Sequence, residues 1–361
     1  ITEQEAWAAL PGTIALAVVA MAGRVAVPIA IQQGIDRGIH GPGGLDVGRV
    51  GHHLGGDGPL PGDDVRVVVG RHVPDARCLR RGDLNTALQT EAARRGIPLR
   101  HGARLASVED GPHGVTAHFT DGGTASGDLL IGADGLNSTV RRSVSPATRP
   151  FPSGQYVFYG YTRAAAPSGP DACITMVRGS RAAFGYAVSP DGESYWFARV
   201  TGYPLSAEES ARGTPAHWRE LLLPLLREDA GPAAALVAAT GEDLMVTNAT
   251  EIPTGTPWRS GRTLLIGDAA HAASPATGQG ASMALEDAVV LAKALRDAPD
   301  TDAALTLYET LRRPRVEHNI TVSGSISRGT RTPSAAPRPS EEDLARLLEW
   351  DADLWSERYP H

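Results

Sequence analysis

The stretch GDAAHAASPATGQGASMALEDA, residues Gly267 to Ala288, determines how the rest of this sequence is interpreted. It follows Arg262–Ile266, a short apolar and partly β-branched run that predicts a buried strand ending in a Gly-Asp turn. From Gly280 onward apolar side chains recur at helical spacing, and Glu286 and Asp287 fall in the opening turns, where a helix dipole favours carboxylates. We therefore expect a strand, a Gly-rich crossing and a helix N-terminus, in that order.

Such an element offers two kinds of ligand-binding group. Asp268, beside Gly267, places a carboxylate at the end of the strand. Backbone N–H groups at the positive end of the helix have no bulky side chain in front of them, and they suit a ligand that carries or develops negative charge. These donors belong to Gly278, Gln279, Gly280 and Ala281. A reduced flavin, anionic along its N1 and C2 carbonyl edge, is such a ligand. The alternative is an ordinary strand-to-helix turn in which Asp268 is a local cap.

Three motifs resemble those of the FAD-dependent aromatic hydroxylases, the class A flavoprotein monooxygenases. Gly267–Ala288 looks like the second flavin motif of that family. GADGLNSTVRR, Gly132–Arg142, resembles its Asp-Gly motif, and RGDLNTAL, Arg81–Leu88, resembles the helix whose arginine reaches the FAD. All three occur in the family's order and at about its spacing, so the resemblance covers most of the chain from residue 80 to about residue 320.

The resemblance implies an α/β fold, with a Rossmann-like FAD-binding domain, an inserted antiparallel β-sheet domain for the substrate, and C-terminal helices. The FAD-binding domain is expected in residues 1–149 and 254–323, the substrate domain in 150–253, and a flexible crossing followed by a C-terminal helix in 324–361. Short aromatic and β-branched runs support the insertion. They lie at 155–161, 173–178, 182–188 and 194–201. Candidate pocket-lining aromatics, for which core packing is the alternative, are Tyr159, Tyr161, Tyr186, Trp196 and Phe197.

Further strands are predicted in the part assigned to the first half of the FAD-binding domain. The β-branched run Val65–Val69 predicts one strand. Residues 99–101, 104–109 and 114–120 predict three more, the last turning at Asp121-Gly122-Gly123. No GxGxxG occurs anywhere in the 361 residues, so the family's N-terminal strand, phosphate-binding turn and first helix are predicted to be missing.

The resemblance also implies roles for the residues of the opening motif. Asp268 would hold the ribityl chain of FAD, and Pro275, the one catalytic candidate, would shape the flavin face where oxygen reacts. Backbone donors at Gly280 and Ala281 would stabilise the anionic reduced ring. Ser282 stands where the family often has asparagine. His271 is interpreted as structural rather than as a general base.

Four cofactor-binding candidates lie outside that motif. Glu3 looks like the ribose-binding acid of the family and equally fits an exposed carboxylate near a chain end. Arg81 would contact the pyrophosphate or ribityl side of FAD. The backbone of Leu105 would contact the adenine, although its side chain alone predicts only a leucine in the hydrophobic core. Asp134 would serve both FAD and the nicotinamide dinucleotide, unless it only clamps its own Gly-rich turn.

The implied activity is a monooxygenation that uses NADPH or NADH and O₂. Oxygen transfer from a flavin C4a-hydroperoxide would hydroxylate or epoxidise an aromatic or polyketide-like small molecule. FAD would be resident, and the nicotinamide would bind transiently. Two alternatives stay open: another flavin oxidoreductase on the same fold, and a truncated or decayed relative that no longer binds FAD.

Composition and charge limit the remaining function classes. The formal net charge of −7 gives no reason to expect nucleic acid or an anionic membrane as a partner. Neither the two cysteines nor the loop histidines have metal-ligand spacing, so no metal is expected. The apolar run at residues 14–21 is too short and interrupted to span a bilayer. A cytoplasmic monomer or homodimer is predicted.

Overall fold

The computed structural model describes residues 65–69, 81–112, 114–167, 174–229, 231–330, 341–356 and 358. The strands in these residues are β1 (Val65–Val69), β2 (Leu105–Gly111), β3 (Gly114–Phe119), β4 (Thr124–Gly127), β5 (Leu130–Gly132), β6 (Phe151–Thr162), β7 (Ile174–Arg178), β8 (Ala183–Val188), β9 (Ser194–Thr201), β10 (Leu244–Glu251), β11 (Arg259–Ser260) and β12 (Thr263–Leu265). The helices are α1 (Arg81–Arg94), α2 (Thr139–Val144), α3 (Ala207–Arg212), α4 (Pro215–Leu226), α5 (Ala233–Ala239), α6 (Asp268–His271), α7 (Gly280–Asp297), α8 (Thr301–Arg328) and α9 (Glu341–Leu348). None of these described helices combines the length and the apolar character that a membrane crossing requires.

The described residues group into two compact units, each assembled from separate segments of the chain. The first unit contains the described residues between 98 and 151 and those from 250 onward. The second contains 65–69, 81–97 and the described residues between 152 and 249. The helix α1 therefore belongs to the same unit as the strands β6 to β10.

Two three-stranded sheets organise the first unit. In the sheet β11-β12-β5, β12 runs parallel to β5, with Leu264 opposite Ile131. The second sheet, β2-β3-β4, is an antiparallel meander. Every residue of β5 and β12 is buried, as expected for parallel strands that are covered on both faces. The core around them includes Val140 of α2, Val290 of α7 and Tyr308 of α8.

One predicted strand of this unit is wrong. Residues 99–101 form no strand, and the third strand of the meander is Thr124–Gly127 instead. Leu99 is 44% exposed, so the predicted run has no apolar face to bury in a sheet. The chain reverses at the predicted turn, residues 121–123, where Gly122 has a φ of +84°. This reversal brings β4 alongside β3 as the third strand.

A six-stranded sheet with the order β1-β7-β8-β9-β6-β10 forms the second unit. The strands predicted between residues 155 and 201 are present as β6 to β9. The strand β1 pairs antiparallel with β7, with Val67 opposite Met176. The sequence predicts β1 as a strand but groups it with the FAD-binding domain, because its pairing partner lies far along the chain and leaves no local signal.

The two faces of this sheet carry different side chains. On one face Phe158 and Trp196 pack against Leu222 of α4 and other core residues. On the opposite face Tyr159 clusters with Val157 and the partly buried Phe197. Of the candidate pocket-lining aromatics, Tyr186 also belongs to the helix-covered core.

Helix α8 extends further than the composition of its end predicts. It continues to Arg328 and ends at Gly329, whose φ of +63° allows the left-handed cap. Residues 324–340 are predicted to be a flexible crossing because they are rich in Ser, Arg, Thr and Pro, and this is wrong for the part inside α8. Ser327 is buried there, so the small side chains of this last turn serve close packing. Residues 331–340 lie outside the described part of the chain.

Two cations of α7 hold the C-terminal segment, residues 341–356. The buried Lys293 donates from Nζ to the carbonyl oxygens of Leu347 at 2.8 Å and Glu349 at 2.5 Å. Arg296 donates to the carbonyl oxygen of Ala352 at 3.0 Å. A buried ammonium needs such acceptors, so these bonds couple the position of the segment to that of α7.

Candidate functional site

The carboxyl ends of β5 and β12 meet at one edge of the parallel pair, and an aspartate follows each strand. Asp134 follows β5, and Asp268 follows β12 as the first residue of α6. Arg141 links the two turns, because its guanidinium donates to the carbonyl oxygen of Ala269 at 2.9 Å. The structure therefore places the turns of the predicted Asp-Gly motif and of the opening motif side by side.

Asp134 is buried, and both of its carboxylate oxygens accept hydrogen bonds from its own turn. Oδ1 accepts from the Ser138 hydroxyl at 2.5 Å. Oδ2 accepts from the backbone N–H groups of Thr139 at 2.6 Å and Val140 at 3.1 Å. These donors lie at the start of α2, where a carboxylate satisfies otherwise unpaired N–H groups. The bonds agree with the turn-clamp interpretation of Asp134, and its contact with a cofactor stays a prediction.

Gly267 makes the turn that delivers Asp268. Its backbone has φ +57° and ψ −146°, a combination that side chains essentially forbid. A Cβ at this position would also lie 3.3 Å from the Cβ of Ala284. The N–H of Gly267 donates to Asp287 Oδ2 at 2.8 Å, so the strained turn is held from behind by α7.

Asp268 contrasts with Asp134, because its side chain is exposed. Among the described residues, none forms a hydrogen bond or ion pair with the Asp268 carboxylate. A Cβ built on Gly280 would lie 4.0 Å from Asp268 Oδ1, so the carboxylate lies beside the start of α7. It is therefore available to accept hydrogen bonds from a ligand.

The start of α7 is open. Gly278, at φ +70°, turns the chain into the helix, and Gln279 at the N-cap makes no side-chain capping bond. Gly280 and Ala281 are both exposed. An uncapped first turn presents backbone N–H donors at the positive end of an 18-residue helix, which favours an anionic group. Ser282 is the next residue of this turn.

Pro275 lies in a 3-10 turn, residues 275–277, that is held against α8. The N–H of Thr277 donates to Ser323 Oγ at 3.2 Å, and its hydroxyl donates to Asn319 Oδ1 at 2.8 Å. Ser323 Oγ also donates to the carbonyl oxygen of Ser274. These bonds hold the backbone on both sides of Pro275, so the small and polar residues of α8 position this loop.

A buried ion network lies behind the turn. Asp287 has 0% side-chain exposure and lies 2.5 Å from His271 Nε2 through Oδ2. Its Oδ1 accepts from Arg312 Nε at 2.8 Å, and Arg312 is also 0% exposed. The ring of Trp258 lies 5.4 Å from the His271 ring. Since His271 is buried between these partners, the geometry agrees with the structural role predicted for it.

Glu286 extends the network. It accepts from Arg312 at 2.6 Å and, through both oxygens, from Arg315 at 2.8 and 2.7 Å. Burial raises the pKa of Glu286, but the hydrogen bonds and charges of Arg315 and Arg312 outweigh burial and leave the pKa below 4.5. The pKa of Asp287 lies below 3.8, because His271 and Arg312 lower it by more than burial raises it. Both carboxylates are therefore held ionised.

The structure corrects the explanation that the sequence suggests for the positions of Glu286 and Asp287. The first turn of α7 contains no acid, so the helix dipole does not explain Glu286 and Asp287. They lie further along the helix and pair with Arg312 and Arg315 of α8. Sequence reasoning did not single out these arginines, because a charged helix residue is usually exposed. The available signal was the cluster LRRPR at residues 311–315.

Three candidates lie away from this edge or outside the described side chains. Leu105 is buried in the core of the first unit, and the role of its backbone stays a prediction. Arg81 begins α1 in the second unit, and its side chain is not described. Glu3 lies outside the described residues. In the described part of the chain no group of three His, Cys, Asp or Glu side chains is arranged to hold a metal ion.

The edge of the first unit fits a ligand with two chemical features. The open N–H donors at Gly280 and Ala281 require an acceptor, preferably an anionic one. The exposed carboxylate of Asp268 can accept hydrogen bonds from a hydroxyl or N–H donor of a ligand. A flavin dinucleotide has both, since its ring carries an electron-rich edge and its ribityl chain carries hydroxyls. The residues present therefore fit FAD.

Comparison with known proteins identifies the same cofactor. Residues 54–323 match the family model described as the FAD binding domain. The chain is 32% identical over 253 residues to an aurachin C monooxygenase/isomerase from Stigmatella aurantiaca, covering 69% of this chain and 64% of the relative. It is 30% identical over 258 residues to a 6-hydroxynicotinate 3-monooxygenase from Pseudomonas fluorescens, covering 66% of this chain and 62% of the relative. The chain thus spans about three fifths of the length of these curated relatives.

A solved structure supports the assignment. The crystal structure of Klebsiella pneumoniae HpxO complexed with FAD and uric acid aligns with a TM-score of 0.61 and 26% sequence identity, covering 78% of this chain and 67% of that chain. These matches confirm the α/β FAD-binding fold predicted from the sequence, and they confirm FAD as the cofactor.

Proposed function

The chain belongs to the family of FAD-dependent aromatic hydroxylases, and on this premise we propose that it is a monooxygenase that uses NADPH or NADH and O₂. The product would be a hydroxylated or epoxidised aromatic or polyketide-like small molecule. The names of the relatives support this reaction type, since two of them are monooxygenases and one of these is named for 6-hydroxynicotinate. A third relative is named a FAD-dependent urate hydroxylase.

The observation that carries the proposal is the open edge formed by Asp268 and the start of α7. A carboxylate with no partner among the residues that the structure describes lies beside an uncapped and exposed helix N-terminus. Together the carboxylate acceptor and the backbone N–H donors can bind a ligand that carries hydroxyls and an electron-rich edge, which supports a flavin at this edge.

The residues at the edge would divide the work of holding FAD. When bound, FAD would accept hydride from NAD(P)H and activate O₂ for oxygen transfer. Asp268 would accept a hydrogen bond from a ribityl hydroxyl. The N–H groups of Gly280 and Ala281 would donate to the electron-rich edge of the ring, as an oxyanion hole does. Pro275, held by α8, would limit the space in front of the ring.

The remaining roles are also proposals. We assign cofactor contacts, on the resemblance of their motifs, to Glu3, Arg81, Leu105, Asp134, Gly267, Gly278, Gln279 and Ser282. The nicotinamide would bind transiently, and the protein would act in the cytoplasm as a monomer or homodimer.

Flavin binding and nicotinamide oxidation test the proposal. Purified protein should be yellow or should take up added FAD, and candidate phenols should stimulate NADPH or NADH oxidation and O₂ uptake. The variant Asp268→Ala removes a charged hydrogen-bond acceptor, which is worth roughly 1.5–3 kcal/mol. It should therefore raise the Kd for FAD by about 10- to 150-fold. Exposed Asp351 provides the matched control Asp351→Ala, which should leave the Kd unchanged.

Two results would refute the proposal. Colourless protein that takes up no FAD would show that a non-binding relative is the correct description. A yellow protein that reduces its flavin but incorporates no oxygen from ¹⁸O₂ into any product would instead indicate a different flavin oxidoreductase. Equal FAD affinity in Asp268→Ala and Asp351→Ala would show that the Asp268 carboxylate does not contribute to FAD binding.

A further inference from the structure

Helix α8 presents a line of polar side chains to the loop that carries Pro275. Asn319, Ser323 and Ser327 recur every four residues, so they lie on one face of the helix. All three are buried. They are called the polar seam below, and residues 274–278 are called the Pro275 loop. Buried polar side chains normally have hydrogen-bond partners, and the loop supplies them here.

Each member of the polar seam forms a hydrogen bond with this loop. The hydroxyl of Ser323 donates to the carbonyl oxygen of Ser274 and accepts from the N–H of Thr277 at 3.2 Å. The Thr277 hydroxyl donates to Asn319 Oδ1 at 2.8 Å. The hydroxyls of Ser327 and Ser274 are also hydrogen-bonded to each other. The loop is therefore attached to α8 on both sides of its proline.

The polarity of the seam does more than fill the space between α8 and the loop. A hydrogen bond within a protein replaces hydrogen bonds to water, so its net contribution to stability is small. Apolar side chains would fill the same space, but they would not fix the orientation of the loop. Hydrogen bonds are directional, and a fully satisfied buried network specifies one arrangement. The seam therefore sets where the loop lies.

The Pro275 loop leads directly into the start of α7. The N–H of Gly278 donates to the carbonyl oxygen of Pro275 at 3.1 Å, and the φ of +70° at Gly278 turns the chain toward the helix. Gln279 follows as the N-cap and makes no side-chain capping bond. The direction of the exposed N–H donors at Gly280 and Ala281 therefore depends on the loop that precedes them.

We propose that the polar seam positions the flavin-binding donors: by fixing the Pro275 loop, it holds the N–H groups of Gly280 and Ala281 against the electron-rich edge of the ring. This edge becomes anionic on reduction, so donors that are already in place favour the reduced form. The three residues of the seam are thus positioning residues that raise the reduction potential of bound FAD. This inference rests on the proposed function, because it needs FAD at the edge of the first unit.

The reduction potential of bound FAD tests the inference. Ser323→Ala removes the two central hydrogen bonds of the seam, and Thr277→Val removes the hydroxyl that donates to Asn319. Each variant should lower the preference for reduced over oxidised FAD about tenfold, as expected when one hydrogen bond to a charged group is lost. For a two-electron couple this lowers the potential by about 30 mV. Anaerobic photoreduction with a reference dye measures the shift.

A matched control and a second readout separate positioning from general stability. Ser325 is buried on the same helix, but among the described residues its side chain forms no hydrogen bond with the Pro275 loop. Ser325→Ala should therefore keep the wild-type potential. In FAD-free protein, deuterium exchange of the amides in residues 276–281 should be severalfold faster in Ser323→Ala and Thr277→Val than in wild type and control. Thr277 is only partly buried, so Thr277→Val decides the test if Ser323→Ala does not fold.

Every other outcome is decisive. Protein that binds no FAD refutes the proposed function, and this inference falls with it. Normal FAD binding with equal potentials in wild type, both seam variants and the control overturns the positioning role and leaves the proposed function standing. A potential that falls without faster exchange, or that falls equally in Ser325→Ala, also overturns it, since the effect would not act through the loop. Faster exchange with an unchanged potential would show that the seam supports only the fold.

Discussion

Replacing Asp287 by asparagine removes the charge at the centre of the buried network with almost no change of shape. The carboxylate accepts from the Gly267 N–H, from His271 and from Arg312. An asparagine side chain has one oxygen acceptor, and its NH₂ group would face a donor on the other side. The variant therefore leaves Glu286 as the one carboxylate that Arg312 contacts among the described residues, and it leaves at least one buried donor unsatisfied.

The size of the effect follows from the burial of both partners. Asp287 and Arg312 have 0% side-chain exposure, so solvent cannot compensate for the missing charge. Removing one partner of a buried ion pair costs about 3–5 kcal/mol. At about 2–4 °C per kcal/mol, typical of units of 150–250 residues, the thermal midpoint should fall by roughly 6–20 °C.

Thermal and chemical denaturation of the wild type, Asp287→Asn and a surface control measure this loss. The control is Asp302→Asn, because Asp302 also pairs with an arginine, Arg259, at 2.8 Å, but its side chain is 87% exposed. An exposed pair is worth at most about 1 kcal/mol. Equal losses in the two variants would refute the reasoning, since burial would then not set the strength of the network.

The pH dependence provides an independent check on the same pair. The folded-state pKa of Asp287 is below 3.8, so folding favours its ionised form. The resulting stability is present above the unfolded-state pKa and is lost as the pH falls through the lower folded-state pKa. The stability gap between wild type and Asp287→Asn should therefore shrink as the pH falls below about pH 4. A gap that widens below about pH 4 would contradict the assignment.

Two further substitutions test the turn and the C-terminal segment. Gly267→Ala forces a Cβ into a backbone conformation that only glycine adopts freely, so urea denaturation should show a loss of about 1–3 kcal/mol. Gly241→Ala, where a Cβ would meet nothing within 4 Å, should cost less than about 0.5 kcal/mol. Lys293→Met removes the cation that holds the carbonyl oxygens of Leu347 and Glu349, so limited proteolysis of the C-terminal segment should accelerate severalfold. Unchanged cleavage would show that apolar packing alone holds that segment.

Local patterns in the sequence predict most of the elements that position the site. The β12 strand and the helix beginning at Gly280 follow from an apolar run and from helical spacing, and both are present. The strands β6 to β9 follow from aromatic and β-branched runs. These signals work because each element buries its own side chains, so the pattern is complete within a few residues.

Pairings between distant residues leave no such pattern. The hydrogen bond between Arg312 and Asp287 joins two helices. From the sequence alone, both charged residues would be predicted to lie on the exposed side of a helix. The end of α8 was missed for a related reason. Its serines resemble a linker in composition, yet Ser327 is buried and its hydroxyl forms a hydrogen bond with the hydroxyl of Ser274, next to Pro275. Small polar residues predict a crossing only where no neighbouring element packs against them.

The two aspartates at the strand ends show why geometry adds to a motif. Each follows a buried strand, and the resemblance of its motif makes each a candidate for cofactor binding. Asp134 is used by its own helix, since three hydrogen bonds occupy its two oxygens. Asp268 has no partner among the described residues and lies beside an uncapped helix start. A carboxylate can serve a ligand only with the lone pairs that its own fold leaves unused. Asp268 therefore has free lone pairs for the ribityl contact that we propose for it, whereas a cofactor contact of Asp134 would have to share oxygens that α2 already uses.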